Sequence, residues 1–121
     1  MGAAILGLAG AAPAFAEGSR TTYISKWTPG GESNRWKDQN LDAASTTVGF
    51  SGCSTDGGNG FEAAGLILWK DVLGPDENQG FKSNYCNRVY WGDKSAGDYY
   101  FELDGFTSGS YLWVNSVGIT Y

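Results

Sequence analysis

The sequence predicts an all-β protein, a small antiparallel β-sandwich of jelly-roll type with one disulfide and an extended N-terminal arm. Three observations support this fold class. Strand-like apolar segments recur at intervals of roughly 10–20 residues, with turn residues between them. Aromatic residues make up 15% of the chain and glycines number 19. No segment has the apolar spacing of an amphipathic helix. This combination is typical of small secreted β domains.

The first 16 residues carry no charge and end in Ala14-Phe15-Ala16, the small-x-small pattern that signal peptidase cleaves. We therefore expect residues 1–16 to be a signal peptide and the mature protein to be secreted and extracellular. Signal peptides normally begin with Lys or Arg, whereas the first basic residue here is Arg20. This predicts that the true start of the gene lies upstream of Met1, the alternative being an uncharged signal.

Cys53 and Cys86 are the only cysteines in the chain. In a secreted protein they predict one intramolecular disulfide, because free thiols are scarce outside the cell. Closing this loop contributes roughly 4 kcal/mol to stability by chain-entropy arithmetic. Two free thiols or an intermolecular bridge are the alternatives.

Residues 17–40 form the predicted arm. The segment is polar and carries four of the eight basic residues, and its two tryptophans show no core-like alternation. Its extended part, residues 21–25, is suited to adding a strand to the sheet edge of a partner. Five side chains are the expected partner-binding anchors: Tyr23, Ile24, Trp27, Arg35 and Trp36.

Residues 41–121 form the predicted sandwich, and each strand is indicated by its pattern. Val48 and Phe50 share one face of an alternating segment, and residues 66–69 are apolar enough for a strand buried on both faces. Tyr99-to-Leu103 alternates with its apolar residues inward. The last segment is either one long strand or two short ones, with a bulge near Asn115. The predicted strands cover 46–51, 61–70, 81–86, 99–103 and 111–121.

The tryptophans are the residues most open to interpretation. Trp69 and Trp113 lie in strand patterns and are expected in the core. The others lie in polar, loop-like surroundings, where a tryptophan either folds back over the core or is displayed to a partner. Exposed aromatics can stack on sugar rings, and four residues are candidates for that role: Trp27, Trp36, Tyr90 and Trp91.

Charge and residue content exclude several function classes. The net charge is −5, which disfavours nucleic acids and anionic membranes as partners. The chain has no histidine, which removes His-based catalytic sets and His-ligated metal sites. Carboxylates could still form a glycosidase pair, but any acidic protein offers such a set. These are Asp71, Asp76, Glu77, Asp98, Glu102 and Asp104.

Calcium is an open alternative at two loops, Asp56–Asn59 and Asp76–Asn78, which supply oxygen ligands. Neither loop has EF-hand spacing, and the same residue types build ordinary tight turns. We therefore expect no enzymatic activity, no cofactor and no metal.

The segment Ala96–Leu103 followed by Ser110–Val114 resembles the closing hairpin of many secreted bacterial β-sandwiches, among them pre-peptidase C-terminal domains and carbohydrate-binding modules. The likeness lies in a Gly-x-Tyr-Tyr-Phe strand and a returning Tyr-x-Leu strand. It covers under a fifth of the chain and implies a fold rather than a function.

The layout of the whole chain is similar to the small subunit of the umbrella toxin particles secreted by filamentous soil bacteria. That resemblance implies a cleaved signal and a flexible arm, here Arg20–Asn40, that inserts into a cleft of a lectin-bearing partner. It also implies a sandwich, here Leu41–Tyr121, that holds the large toxin subunit.

We therefore expect a secreted, non-catalytic adaptor that binds another secreted protein through its arm. An antibacterial toxin particle is one assembly in which such an adaptor would act. A carbohydrate- or cell-wall-binding module is the first alternative. A small toxin or protease inhibitor, displaying the loop Thr55–Gly60 beside Cys53, is the second. A minor hydrolase is the third. Nucleic-acid binding and membrane insertion are not expected, and the oligomeric state stays open.

Overall fold

A computed structural model describes residues 16–121, whose eight strands form two antiparallel sheets packed face to face. The predicted signal peptide lies outside the described residues except for Ala16. No helix long and apolar enough to cross a membrane occurs within residues 16–121. The strands are β1 (Ser19–Trp27), β2 (Trp36–Asp38), β3 (Thr47–Thr55), β4 (Ala64–Asp71), β5 (Glu77–Asn84), β6 (Arg88–Tyr90), β7 (Gly97–Phe106) and β8 (Leu112–Thr120).

The strand order is that of a jelly roll. The first sheet runs β1-β8-β3-β6 and the second β2-β7-β4-β5. The chain crosses between the sheets at every connection except the β4–β5 hairpin, which is how a jelly roll is wound. The predicted all-β antiparallel sandwich is therefore confirmed. Because the two inner faces pack against each other, the core lies between the sheets.

The core follows the predicted alternation. Val48 and Phe50 of β3 face Phe101 and Leu103 of β7, and all four side chains are buried. β8 is one long strand, and its pairing with β1 shifts register opposite Asn115, which confirms the predicted bulge. The bulge lets both halves of β8 direct apolar side chains inward.

The prediction for Trp69 and Trp113 is wrong, and the other three tryptophans take the inward one of the two positions left open. Trp69 and Trp113 lie on the outer faces of the sheets and are half-buried, because leucine and valine occupy the inward positions beside them. Trp36 and Trp91 are buried in the core, and Trp27 packs against it. The tryptophans in strand patterns therefore point outward, whereas those in polar segments fold inward.

The predicted arm is also wrong as a separate element, because residues 19–38 supply β1 and β2. β1 pairs with β8 along its length, and Ile24 and Trp36 are only 2% and 1% exposed. The segment is polar because β1 is an edge strand that is solvated on its outer face and along one edge. Without β1, β8 would leave its own edge unpaired.

The predicted disulfide is confirmed. Cys53 on β3 is bonded to Cys86 in the turn between β5 and β6. Buried Asn84 shapes that turn, since its Oδ1 accepts hydrogen bonds from the N–H of Cys86 at 2.8 Å and of Asn87 at 3.0 Å. A disulfide in a small β domain is compatible with an extracellular protein.

Candidate functional site

A groove of about 630 Å³ runs alongside β1. One bank is β1 itself, and the other is the segment 32–34 that leads into β2. Ile24, Phe101 and Ile119 line it between the banks, and each of these side chains is buried in the core. The groove is therefore polar along its rims and apolar at its floor.

The β1 bank is an unpaired strand edge. Gly18 and Tyr121 exchange two backbone hydrogen bonds of 3.0 Å. Hydrogen-bonded and non-hydrogen-bonded pairs alternate along an antiparallel ladder. From Ser19 to the register shift after Thr22, every second residue of β1 therefore directs its N–H and C=O away from β8. Within the groove this residue is Thr21, so its backbone groups are free to pair with another strand.

The opposite bank is a closed edge, because the segment before β2 runs along β7. The Ser33 N–H donates to the Phe101 carbonyl at 2.9 Å, and the Phe101 N–H donates to Ser33 Oγ at 3.0 Å. Gly30 donates to the Leu103 carbonyl at 2.7 Å, and Leu103 donates to the Gly31 carbonyl at 2.8 Å. At this side of the sandwich, the edge of the second sheet is thus covered by residues 30–33, whereas β1, the edge of the first sheet, has no neighbouring strand other than β8 among the described residues.

Side chains mark both ends of the groove. At one end Arg20 donates from Nη1 to the carbonyl oxygen of Arg35 at 2.9 Å, spanning the two sheets. At the other end the Trp27 ring lies 5.9 Å from the Phe101 ring, centroid to centroid. A Cβ at Gly31 would lie 2.9 Å from the Trp27 ring, so the glycine permits this close approach.

An ion-pair cluster fixes the second bank from outside. The Arg35 guanidinium stacks on the Tyr100 ring at 3.7 Å. It donates to Asp71 and Glu32, each at 3.1 Å. The Tyr100 hydroxyl donates to an Asp76 carboxylate oxygen, and burial together with this carboxylate raises the pKa of Tyr100. The cluster holds the segment before β2 against the second sheet.

The five predicted partner-binding residues lie in three places. Tyr23, Ile24 and Trp27 line the groove, with Tyr23 66% exposed. Arg35 lies outside the groove in the ion-pair cluster, although its carbonyl accepts the bond that spans the sheets. Trp36 is buried in the core and cannot act as the predicted surface anchor, because its ring is fully covered.

Three residues that shape the second bank and the floor were not among the predicted site residues. Ser33 forms part of the second bank, and Phe101 and Ile119 form part of the floor. Alternation does place Phe101 inward, but no local signal shows that it faces an open side of the sandwich. Ser33 lacks any pattern of its own and becomes part of the bank only through its hydrogen bonds to β7.

The predicted carbohydrate platform is not assembled. Tyr90 on β6 is 59% exposed, but Trp91 is buried and its Nε1 donates to the Gly80 carbonyl at 2.9 Å. Trp27 and Trp36 are packed on or within the core. Of the four candidate aromatics only Tyr90 is largely exposed, because the others contribute to the core or pack against it.

In the candidate calcium loop at Asp56, the carboxylate holds this loop to the one before β8. Asp56 Oδ1 accepts hydrogen bonds from the N–H groups of Ser110 at 2.7 Å and Tyr111 at 3.0 Å. Residues 16–121 contain no group of three or more His, Cys, Asp or Glu side chains arranged to hold a metal ion. The carboxylate therefore serves the packing of two loops.

Searches of protein-family models, of curated proteins and of solved structures found no match to this chain. No relative therefore assigns a ligand or partner to the groove. Its function has to be inferred from its own geometry.

Proposed function

We propose that this protein is a secreted, non-catalytic adaptor that binds an extended segment of a partner protein along β1. The unpaired edge at Thr21, beside exposed Tyr23 and over an apolar floor, is the observation that supports this function. In β-strand addition, backbone hydrogen bonds supply affinity and pockets for alternate side chains supply specificity. The groove offers both features.

The other sheet edges are less suited to this use. Natural proteins protect edge strands by making them short or by twisting them with bulges. β2 and β6 have three residues each. β5 has a register shift, and Gly80 within it has a φ of 119°. β1 has nine residues. It also shifts register twice, and its left-handed residue, Lys26, lies near its end, but it is the edge strand that lines the groove.

The groove also indicates what kind of segment it binds. Side chains of an added strand alternate between the two faces of the sheet. Every second side chain would face the floor formed by Ile24, Phe101 and Ile119. We therefore expect a partner segment in which small or medium apolar residues alternate with polar ones.

The cellular setting is inferred from the leader and the disulfide. The apolar leader ending at Ala16 and the Cys53–Cys86 bond support export. An antibacterial toxin particle is one setting for such an adaptor. The flexible arm that the resemblance implies for such an adaptor has no counterpart within residues 19–38, because these residues are part of the sandwich. We therefore propose that the partner binds in the groove.

A proline scan of the free edge tests the proposal. Thr21→Pro removes an N–H that points away from β8, so it blocks an added strand while keeping the β1–β8 ladder. Ser19→Pro is the matched control, since Ser19 also points away from β8 but does not line the groove. Each form serves as bait in native culture supernatant, with captured proteins identified by mass.

We expect the unaltered protein and Ser19→Pro to capture the same discrete proteins, and Thr21→Pro to lose them. The captured partner, once purified, should slow hydrogen exchange at the Thr21 amide. Equal capture by both proline variants would overturn the proposal. Retention on chitin, cellulose or peptidoglycan that is lost in Tyr90→Ala would instead support the carbohydrate-binding alternative.

A further inference from the structure

The outer face of the second sheet carries an apolar strip. Ile67 on β4 pairs with Phe81 on β5, and Trp69 follows two positions along the same face of β4. Phe81 is 53% exposed, and Ile67 and Trp69 are half-buried. No element among residues 16–121 covers the strip, because it lies on the outside of the sandwich.

Both aromatic rings of the strip are held in place. Phe81 lies across Gly65, where an added Cβ would be 2.5 Å from its ring. The Trp69 Nε1 donates to Glu102 Oε1 at 2.8 Å. Ordering these rings therefore costs little when a partner binds, since the sheet has already fixed them.

The charge beside the strip is negative and incompletely neutralised. Glu102 pairs with Ile67 across β7 and β4, and it lies opposite Glu32 in an antiparallel bridge. Like charges directly opposite one another destabilise a sheet. Arg35 forms an ion pair with Glu32, but neither Glu102 nor Asp104 has a basic partner within residues 16–121.

The basic side chain beside the strip is already paired, since Arg35 stacks on Tyr100, the cross-strand partner of Trp69, and bonds two other carboxylates. Lys82 pairs with the inward-facing Leu66, so alternation directs it away from the outer face. Lys37 is held by Asp98 at 3.0 Å. Asp104 adjoins the strip, since it lines a shallow depression together with Phe81. Glu102 and Asp104 therefore border the strip without a basic partner in the part of the chain that the structure describes, because Arg35 is engaged by Glu32 and Asp71.

We propose that this face docks a basic segment of a second partner protein. Apolar side chains of that segment pack on Phe81, Ile67 and Trp69, and its Lys or Arg groups pair with Glu102 and Asp104. Aromatic anchors bordered by complementary charges are the usual centre of a protein interface. The site is distinct from the groove and does not depend on it, so an adaptor could engage two partners at once.

Two peptide probes of opposite charge test the proposal by NMR on the ¹⁵N-labelled, disulfide-bonded protein. One probe is acetyl-Arg-Leu-Trp-Leu-Arg-amide, and the other replaces both arginines with glutamates. The basic peptide should shift the Trp69 indole N–H signal and the amides of Ile67, Phe81 and Glu102. We expect it to bind at least about tenfold tighter than the acidic one, because only its charges complement the face.

Variants assign the binding to this face. Glu102→Gln retains an acceptor for the Trp69 indole while removing the charge, and Phe81→Ser removes the exposed ring. Each should weaken binding of the basic peptide by about fivefold or more, which is within the range for interface residues. Asp42→Asn and Tyr85→Ser are the matched controls, since they remove a charge and an exposed aromatic elsewhere, and they should leave binding unchanged.

Three results would overturn the proposal. They are no shifts with the basic peptide at millimolar concentration, equal binding of both peptides, or shifts confined to the β1 groove. If Phe81→Ser fails to fold, Glu102→Gln alone decides the outcome.

Discussion

Arg20 donates a hydrogen bond of 2.9 Å from Nη1 to the backbone carbonyl of Arg35. This bond joins β1 in the first sheet to the segment that leads into β2 in the second. The acceptor is a backbone atom, so the Arg35 side chain remains available for its ion pairs with Glu32 and Asp71. One residue pair thus links the open bank of the groove to the fixed bank.

Arg20→Ala should loosen the groove at this end. We expect a stability loss of about 1 kcal/mol, because the lost bond has a charged donor but is exposed to solvent. Hydrogen exchange at the Ser33 amide, which belongs to the opposite bank, should become several-fold faster. Lys82→Ala is the control and should leave Ser33 unchanged. Unaltered exchange in Arg20→Ala would show that the bond does not hold the banks together.

Alanine substitutions should separate the inward and outward tryptophans. Trp36 is 1% exposed, so Trp36→Ala should cost about 3–5 kcal/mol through lost packing and a cavity. Trp113 is half-buried on an outer face, so Trp113→Ala should cost about 1 kcal/mol. Urea unfolding followed by circular dichroism measures both. Equal costs would contradict the placement of these two side chains.

Removing the disulfide should strongly destabilise the fold. Cys53 and Cys86 are 33 residues apart, and loop-closure entropy for such a loop corresponds to about 4 kcal/mol. The double variant Cys53→Ser with Cys86→Ser should therefore unfold at much lower urea concentration. A loss below about 1 kcal/mol would show that the β5–β6 turn is held without the bond.

Two adjacent glycines should respond differently to alanine. A Cβ at Gly57 would overlap the backbone of Ser108, whereas a Cβ at Gly58 meets nothing within 4 Å. Gly57→Ala should cost about 1–3 kcal/mol because the two loops must move apart. Gly58→Ala should change stability by less than about 0.5 kcal/mol. Comparable effects of the two substitutions would contradict the close contact between these loops.

Acid should destabilise the protein through two carboxylates. The N–H groups of Leu41 and Gln39 lower the pKa of Glu17 from its ordinary value of 4.5. The N–H groups of Tyr111 and Ser110 likewise lower the pKa of Asp56 from 3.8. Each carboxylate stabilises the fold above its unfolded pKa, and this contribution is lost as pH falls through the folded pKa.

Thermal unfolding across a pH series measures this effect. The double variant Glu17→Gln with Asp56→Asn should lose less stability than the unaltered protein when pH falls below about 4. Asp38 acts in the opposite direction, because burial raises its pKa from 3.8 and ionisation then opposes folding. Asp38→Asn is therefore the control, and it should make the acid-induced loss larger. Identical pH profiles in all three forms would exclude these carboxylates as the cause.

Much of the fold could be predicted because the signals are local. Val48 with Phe50, and Phe101 with Leu103, alternate at the strand period, and their neighbours supply turn residues. The disulfide was predicted because the chain has only two cysteines and its first residues resemble an export signal. Tyr23, Ile24 and Trp27, which line the groove, were singled out in advance because they are apolar side chains in a polar segment.

The groove could not be predicted in the same way, because both of its banks depend on distant partners. Residues 21–25 were predicted to be extended, but only the pairing with β8, at the other end of the chain, makes β1 an edge of the sandwich. Ser33 becomes part of a bank only through its two bonds to Phe101. Neither segment has a strong pattern, because an edge element buries few of its side chains.

The sequence by itself determined the all-β class, the alternation of the central strands, the disulfide and the acidic charge, since each follows from residue type and local spacing. Only the tertiary structure decided which tryptophans are covered and which edge of the sandwich stays open. Burial is a property of the packed sheets. Trp69 points outward because Leu66 and Leu68 take the inward positions. Trp36 fills space between the sheets, although no strand pattern in the sequence predicts that position.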